Sequence, residues 1–369
     1  MGLPNHPDSV KGRGAPSSHV PTRFGLATRQ TDGDWRDYVA KLDTDDTPPV
    51  QLRTHVTEER PKTILSFNSS PDVPFDRSIN AYRGCEHGCV YCYARPTHAY
   101  HDLSPGLDFE TQLFSKPQAA ELLRETLNKR GYRPKPIALG TNTDPYQPIE
   151  KRYEITRQLL EVCLEARHPV TITTKSDRVL RDIDILEEMA RRKLVAVAIS
   201  VTTLEPALSR KLEPRCAAPA KRIAALGKLV DIGVPVHCSV SPIIPAITDE
   251  FMDDIIAAVA DVGVNSAGWI PLRLPHEVAP LFREWLEVHY PERASKVMSI
   301  VRSMRGGRDN DPNFHTRMRP NGVWADMFRA RFRLACKRLG VGHGKTAPRF
   351  ELDCSSFRPP EVGGQMRLF

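Results

Sequence analysis

The run Leu194-Val-Ala-Val-Ala-Ile-Ser-Val201 is apolar at almost every position and shows no polar alternation. A strand of that pattern is buried on both faces, as happens in a parallel sheet covered by helices. Its neighbours repeat the theme. Pro136–Gly140 is a short apolar run, and Val170–Thr174 is rich in β-branched residues that suit a pleated surface. Between such runs the apolar residues keep a helical period. Leu159, Leu160, Val162 and Leu164 do so within Glu154–Arg167, and Val179, Leu180, Ile183, Leu186 and Met189 within Arg178–Arg192. Pro219–Asp231 predicts a helix stopped at Gly233, and Asp249–Val262 another. Val234–Val240 and Val264–Ile270 predict strands. This alternation implies a parallel α/β sheet with right-handed crossovers. About six strand–helix units fit between Ser78 and Leu274, short of the roughly 250 residues of an eight-unit barrel. A partial (βα)6 barrel and a doubly wound sheet both satisfy the spacing. Either places a ligand site at the carboxyl ends of the strands.

The rest of the chain divides around this body, which spans 61–275. Residues 1–60 are rich in Pro, Gly, Ser, Thr and Asp and read as weakly ordered, with Trp35–Leu42 a short piece able to dock. Residues 276–345 read as a helical, Arg-rich extension with helices at Val278–His289, Arg293–Met304 and Gly322–Leu339. Residues 346–369 read as a flexible tail broken by Pro359, Pro360, Gly363 and Gly364. No apolar run approaches the roughly 18 residues of a membrane span, and no secretory leader is visible at the N-terminus. A cytoplasmic location is expected. Eight cysteines in 369 residues are too sparse for a disulfide scaffold, so clustered ones point to metal or chemistry. The net charge of +7 is concentrated: Arg302–Arg349 carries twelve Lys/Arg against three acids. A basic surplus confined to one segment is a candidate phosphate-binding surface.

The sharpest local signal is Ser78–Pro96, SINAYRGCEHGCVYCYARP, in which Cys85, Cys89 and Cys92 form C-x3-C-x2-C. Three thiolates on one compact loop suit a [4Fe–4S] cluster, because soft sulfur ligands hold iron. Three ligands for four irons leave one iron open to a reactive partner. Gly84 and Gly88 let the loop turn tightly and bring backbone N–H groups near the sulfurs. The alternatives are a Cys3His zinc site, with His87, His98 or His101 as fourth ligand, and a set of free buried cysteines. Zinc sites favour paired knuckles far apart in sequence, and here a second half-site is missing.

This motif, with Tyr91 before Cys92 at the first strand–helix turn of a six-unit α/β chain, resembles the radical S-adenosylmethionine (SAM) superfamily. The longer string NAYRGCEHGCVYCYAR resembles the branch that includes spore photoproduct lyase. The resemblance covers Ile64 to Leu274. It implies a [4Fe–4S] cluster on Cys85, Cys89 and Cys92 whose open iron chelates SAM. It implies reductive cleavage of SAM to a 5′-deoxyadenosyl radical that takes a hydrogen atom from substrate, with flavodoxin or ferredoxin as electron donor. By position it assigns the methionine amino group to Thr141, Asn142, Thr143 and Asp144, although the family's Gly-Gly-Glu string is absent. It assigns the carboxylate to Lys175 within Thr-Lys-Ser176, and the adenine edge to the backbone at Tyr93. Ser200 is a candidate for the ribose or carboxylate, ahead of Glu205, Arg210 and Arg215. Ser239 and Ser241 flank the next strand end.

Hydrogen-atom chemistry often uses a second donor, and the candidates are Cys216, Cys238 and Tyr146. Cys238 and Tyr146 lead as catalytic candidates, although a buried structural cysteine is the better explanation of Cys238. In the basic segment Arg317, Arg319, Arg329, Arg331 and Arg333 interleave with Phe314, Trp324, Phe328 and Phe332. Cations suit phosphates and aromatics stack on exposed bases, although aromatics at helical spacing also build cores. Base extrusion would bring a reactive carbon of duplex DNA into the barrel mouth. The last five residues, Gln365–Phe369, resemble the peptide by which bacterial repair proteins dock on the sliding clamp. These features favour DNA as substrate, in lesion repair or modification. The other readings are the same chemistry on RNA, and a non-catalytic iron–sulfur redox sensor that binds nucleic acid.

Overall fold

Each apolar run of the α/β body becomes a strand of one sheet. The computed structural model describes residues 12–17, 52–348 and 350–361. In chain order the strands are β1 (His55–Glu58), β2 (Leu65–Phe67), β3 (Arg77–Ile79), β4 (Tyr82–Arg83), β5 (Gln112–Ser115) and β6 (Ile137–Leu139). They continue with β7 (Val170–Thr174), β8 (Val195–Ser200), β9 (Val236–Ile243), β10 (Ser266–Pro271) and β11 (Gly342–His343). Eight of them form a sheet of order β11-β10-β9-β8-β7-β6-β3-β2. All neighbours from β3 to β11 are parallel, and β2 lies antiparallel on the β3 edge.

The order decides between the two architectures the spacing allowed. A doubly wound sheet reverses its strand order at a switch point. Here β6 to β10 follow one another without reversal, so the crossover helices line up as in a barrel. The sheet keeps two edges, β2 and β11, and so remains a partial, open barrel. Helices Ile155–Glu165, Ile183–Arg191, Pro219–Asp231 and Met252–Asp261 fill the crossovers. Leu159, Leu186, Leu226 and Ile256 are buried against the sheet.

β9 shows what the other face does. Val236, Cys238 and Val240 are buried, whereas His237, Ser239 and Ser241 alternate with them at intermediate exposure. The first set packs on the helices; the second faces an open interior. Thr171 and Thr173 on β7 repeat the pattern. The barrel interior is therefore a small-residue, polar chamber rather than a packed core.

The C-terminal extension is continuous with the body. Helix Val323–Arg338 sends Phe328, Phe332, Ala335 and Cys336 into the same core as the barrel strands, with Trp324 packed against it. Those aromatics are core, and Phe314 alone of the four is exposed, at 52%. Helices Val278–His289 and Pro291–Ser303 share a second core with Val90, Tyr91, Leu212 and Leu272, over the cysteine loop. Residues 350–361 lack regular structure yet are tied to the body: the Asp353 amide donates to the Lys193 carbonyl at 2.8 Å and the Arg358 amide to that of Ala166 at 2.9 Å. Trp35–Leu42 and the terminal Gln365–Phe369 lie outside the described residues. Among the described residues no helix is long and apolar enough to cross a membrane.

Candidate active site

The loop that follows β3 and β4 carries the three cysteines. Gly84 and Gly88 sit at φ 71° and 67°, in the left-handed region that glycine tolerates. A Cβ on Gly88 would lie 2.7 Å from a Glu110 carboxylate oxygen. The loop is pinned from several sides. The Cys85 amide donates to Phe109 O at 2.9 Å, the Val90 amide to Leu212 O at 3.1 Å and the Glu86 amide to Gln147 Oε1 at 2.8 Å. Arg95, fully buried, donates to the carbonyls of Cys89, Gly88, Pro105 and Gly106, and pairs with Glu110 at 2.6 Å.

Cys85 and Cys89 are buried and Cys92 is partly so. Burial pushes the Cys92 thiol up to about 12, and the Cys89 and Cys85 sulfurs add to the effect. Thiolates gathered this closely need a cationic centre, which is what an iron cluster supplies. Cys89 Sγ lies 3.7 Å from Cys216 Sγ. The three candidate zinc histidines face other partners. His87 Nδ1 faces Asp144 at 3.2 Å, His98 Nε2 meets Gln112 O at 2.8 Å, and His101 stacks on Phe114. Against its burial, Asp144 and Cys85 raise the His87 imidazole well above its ordinary value.

An N-terminal strap closes the far side of the loop. The sequence gives no periodic signal here, yet Gly12–Ser17 is in place. Gly14 and Ala15 donate their amides to the two Glu110 oxygens at 3.0 and 2.8 Å. Arg13, 6% exposed, donates to Glu110 O, Leu52 O and Thr54 Oγ1. A Cβ on Gly14 would fall 1.6 Å from Gly88 O, so only glycine fits against the cysteine loop.

The strand ends supply the rest. Of the Thr141–Asp144 stretch, Thr143 Oγ1 donates to Gly84 O at 2.6 Å and Asn142 Nδ2 to Thr97 Oγ1 at 3.2 Å. Thr141 exchanges hydrogen bonds with Asn80 and its carbonyl accepts from the Tyr93 hydroxyl. Asp144 accepts from Tyr146 N, Thr174 Oγ1 and Lys175 N at 2.9, 2.6 and 2.8 Å, and pairs with His87. These side chains stitch the cysteine loop to the ends of β6 and β7. Ser176 caps the next turn, accepting from Arg178 N. Lys175 reaches back toward the cysteines, its Nζ 5.8 Å from the Tyr91 ring centroid. Cys89, Glu213 and Cys216 keep it charged against burial. Among the described residues it forms no ion pair. Ser200 on β8 is buried beside Ser239 of β9, and Ser241 Oγ is buried with no partner. An orphaned hydroxyl at a strand end fits a polar cofactor.

The leading hydrogen-donor candidates are placed elsewhere. Cys238 is fully buried on the helix-facing side of β9, next to Cys336. Tyr146 is fully buried, and its hydroxyl donates to Asp182 at 3.0 Å. Cys216 is the cysteine brought to the site. Three further residues came without a local signal. Glu213, 2% exposed, accepts from Tyr91, Thr202 and Arg222, which joins the cysteine loop to β8 and its crossover. Arg222 holds its carboxyl below the usual range against burial, with Lys175 helping. His237 faces the chamber, its Nδ1 2.8 Å from Ser266 Oγ. Burial lowers its pKa to about 4, so it is neutral near pH 7.

Comparison with known proteins agrees with this geometry. The family model of the radical SAM superfamily matches residues 79–259. An uncharacterised protein of Mycobacterium tuberculosis is 35% identical over 232 residues, covering 62% of this chain and 68% of the relative. One from Methanocaldococcus jannaschii is 30% identical over 215 residues, covering 58% and 76%. Spore photoproduct lyase complexed with dinucleoside spore photoproduct superposes with a TM-score of 0.55 at 15% identity, over 78% of this chain and 81% of that one. A mutant of that lyase with AdoMet and the same dinucleoside gives 0.51 at 13% identity. The loop of three cysteines, the parallel open barrel and the matched relatives converge: the chain belongs to the radical SAM superfamily, whose cofactors are a [4Fe–4S] cluster and SAM.

Proposed function

We propose that this radical SAM enzyme takes a hydrogen atom from a nucleotide of DNA, in lesion repair or modification. When bound, the cluster and SAM supply a 5′-deoxyadenosyl radical for that step. The chain's own residues prepare it. Cys85, Cys89 and Cys92 hold the cluster, and Lys175 receives the cofactor carboxylate through a charge-assisted contact. Ser200, Ser239 and Ser241 offer hydroxyls at adjacent strand ends. Tyr91, fixed by Glu213, walls the site between the cysteine loop and Lys175. Cys216 lies beside Cys89 and is the thiol best placed to return a hydrogen atom.

The observation that carries the DNA reading is the open barrel beside a cationic segment. Of the Arg302–Arg349 segment with its surplus of nine positive charges, the loop carrying Arg305, Arg308, Arg317 and Arg319 runs from the end of β10 to the β2–β3 turn, beside the unclosed side of the chamber. A polymer can enter such a seam, and its phosphates would meet cations there. The likeness to a lyase that was solved with a dinucleoside photoproduct supports the same substrate class. A small electron-transfer protein of the flavodoxin or ferredoxin type would supply the electron.

The test is anaerobic reconstitution with iron and sulfide, reduction, and assay of 5′-deoxyadenosine for wild type and Cys89→Ala. Wild type alone should form product. Irradiated and intact DNA with deuterated sugars and methyl groups are then compared as substrates. Deuterium in 5′-deoxyadenosine from DNA supports the reading. Transfer from RNA but not DNA, or an intact reduced cluster that never cleaves SAM, overturns it.

A further inference from the structure

Three buried arginines meet a carboxylate, Arg95 with Glu110, Arg222 with Glu213 and Arg77 with Asp76, and buried Arg13 spends its donors on two carbonyls and a hydroxyl. Half-buried Arg273 and buried Arg305 have no carboxylate within ion-pair distance among the described residues. Arg273 follows β10. Its Nη1 meets only the Met318 thioether at 3.5 Å, a weak acceptor, and its Nε is buried without a partner. Arg305, 6% exposed, donates Nη2 to Leu272 O at 2.6 Å and Nη1 to Arg317 O at 3.1 Å, and its Nε is also unpartnered. Those carbonyls fix the guanidinium without neutralising it. Burial and the charge of Arg273 bring Arg305 down to about 10. Of the nearby acids, Asp72 pairs with Arg317 at 2.6 Å, while Asp311 accepts from the Asn313 amide at 2.9 Å and offsets part of the charge of both arginines from the cleft wall.

The location gives these charges a purpose. The loop between helices Pro291–Ser303 and Val323–Arg338 crosses the open seam of the barrel, from the end of β10 to the β2–β3 turn. Arg305 and Met318 hold one end; Arg317 and His315, both bonded to Asp72, hold the other. Within it lies a cleft of about 270 Å³ lined by Arg305, Arg308, Arg319, Asn313, Thr316 and Asp311. Arg273 stands within Coulombic reach of Tyr93, the residue after the last cysteine. We propose that Arg273 and Arg305, with Arg308 and Arg319 around the cleft, form a phosphate-binding subsite that takes a backbone phosphate of the substrate strand. This rests on the nucleic-acid reading above. Guanidinium forks match phosphate oxygens in pairs. A phosphate held at the seam sets its nucleotide beside the chamber. Phe314, exposed and stacked against Arg317 at 4.6 Å, offers a flat face to a neighbouring base.

The test titrates full-length, cluster-loaded protein with a labelled single-stranded oligonucleotide at several salt concentrations. Arg273→Met and Arg305→Met are compared with wild type and with Arg191→Met, an exposed control that pairs with Glu187. Both seam variants should bind at least about tenfold more weakly and lower the log–log salt slope by about one, with no change in the control. Thermal unfolding is the second readout. An unpaired, half-buried cation burdens the unliganded fold, so Arg273→Met should keep or raise Tm while affinity falls. Arg319→Gln, on the exposed wall of the cleft, should weaken binding in the same direction and keeps the test readable if a buried variant does not fold. Wild-type affinity and slope in the seam variants would overturn the subsite and leave the nucleic-acid reading standing. If wild type binds no oligonucleotide, that reading fails, and calorimetry with inorganic phosphate decides the subsite. Phosphate binding lost in Arg273→Met would retain it for a smaller phosphorylated substrate; no phosphate binding to wild type would overturn it.

Discussion

Glu213 shows how one buried residue can organise a site. Its side chain and that of Arg222 are each 1% exposed, and they face one another. The carboxylate also takes the Tyr91 hydroxyl and Thr202 Oγ1, so the aromatic of the cysteine motif is anchored through it. Removing one member of such a pair leaves an uncompensated charge in a dry place. Arg222→Met should therefore cost about 3–5 kcal/mol in urea unfolding, whereas Arg222→Met with Glu213→Leu should cost much less. Equal losses in the single and double variants would mean that the pair does not act as a unit. This residue was not legible in advance. Tyr91 and Glu213 lie 122 positions apart, and nothing local to Glu213 marks it. The metal-ligand candidates were legible because Cys85, Cys89 and Cys92 are adjacent in sequence and their spacing carries the chemistry.

At the level of elements, the N-terminal strap does what the cysteine loop cannot do alone. Loops with two left-handed glycines are soft, and this one must hold its sulfurs at fixed places. Glu110 connects Arg95 on one side to the amides of Gly14 and Ala15 on the other. Gly14→Ala would drive a methyl group into the Gly88 carbonyl. The strap should then detach at a loss of about 1–3 kcal/mol, as overpacking does elsewhere. The global fold should survive. What should change is cluster retention: lower iron content after reconstitution and faster bleaching of the visible absorbance on exposure to air or chelator. Deletion of residues 1–17 should reproduce the effect, and deletion of residues 1–11 should not. A Gly14→Ala protein that keeps its iron as long as wild type would reduce the strap to packing. Composition hid this element, because a six-residue contact needs no hydrophobic period. Arg13 and Glu110 are 97 positions apart.

Across the whole molecule, the barrel was the legible part. Its strands announce themselves by apolar runs of the right length, and β6 to β10 fall where those runs predict. The direction of side chains was less legible. A run such as Val236–Val240 does not say which face meets helices, and so Cys238 could be imagined in the chamber although it packs beside Cys336. The same burial that misleads a reader of sequence sets the acid stability of the fold. His98 and His168 are 1% and 0% exposed, and burial lowers both to about 4, as it does for His237. The Tyr132 hydroxyl lies 2.8 Å from His168 Nε2 and Pro169 O lies 3.0 Å from Nδ1, an arrangement suited to the neutral ring. An unfolded histidine titrates near 6.5, so between about pH 6.5 and 4 the unfolded chain binds more protons than the folded one. Stability is then fully present above about pH 6.5 and falls as pH drops toward 4, by about 3 kcal/mol for each fully buried ring. His87, shifted upward by Asp144 and Cys85, has the opposite sign, and its contribution is lost as pH rises through its folded value. Its window lies above the one tested. Urea unfolding at about pH 6.5, 5.5 and 4.5 should show the decline, and His168→Gln should make it shallower by close to one proton. A flat profile over that range would mean that these rings are protonated in the fold, and that the polar chamber and the packing behind it admit more water than their burial implies.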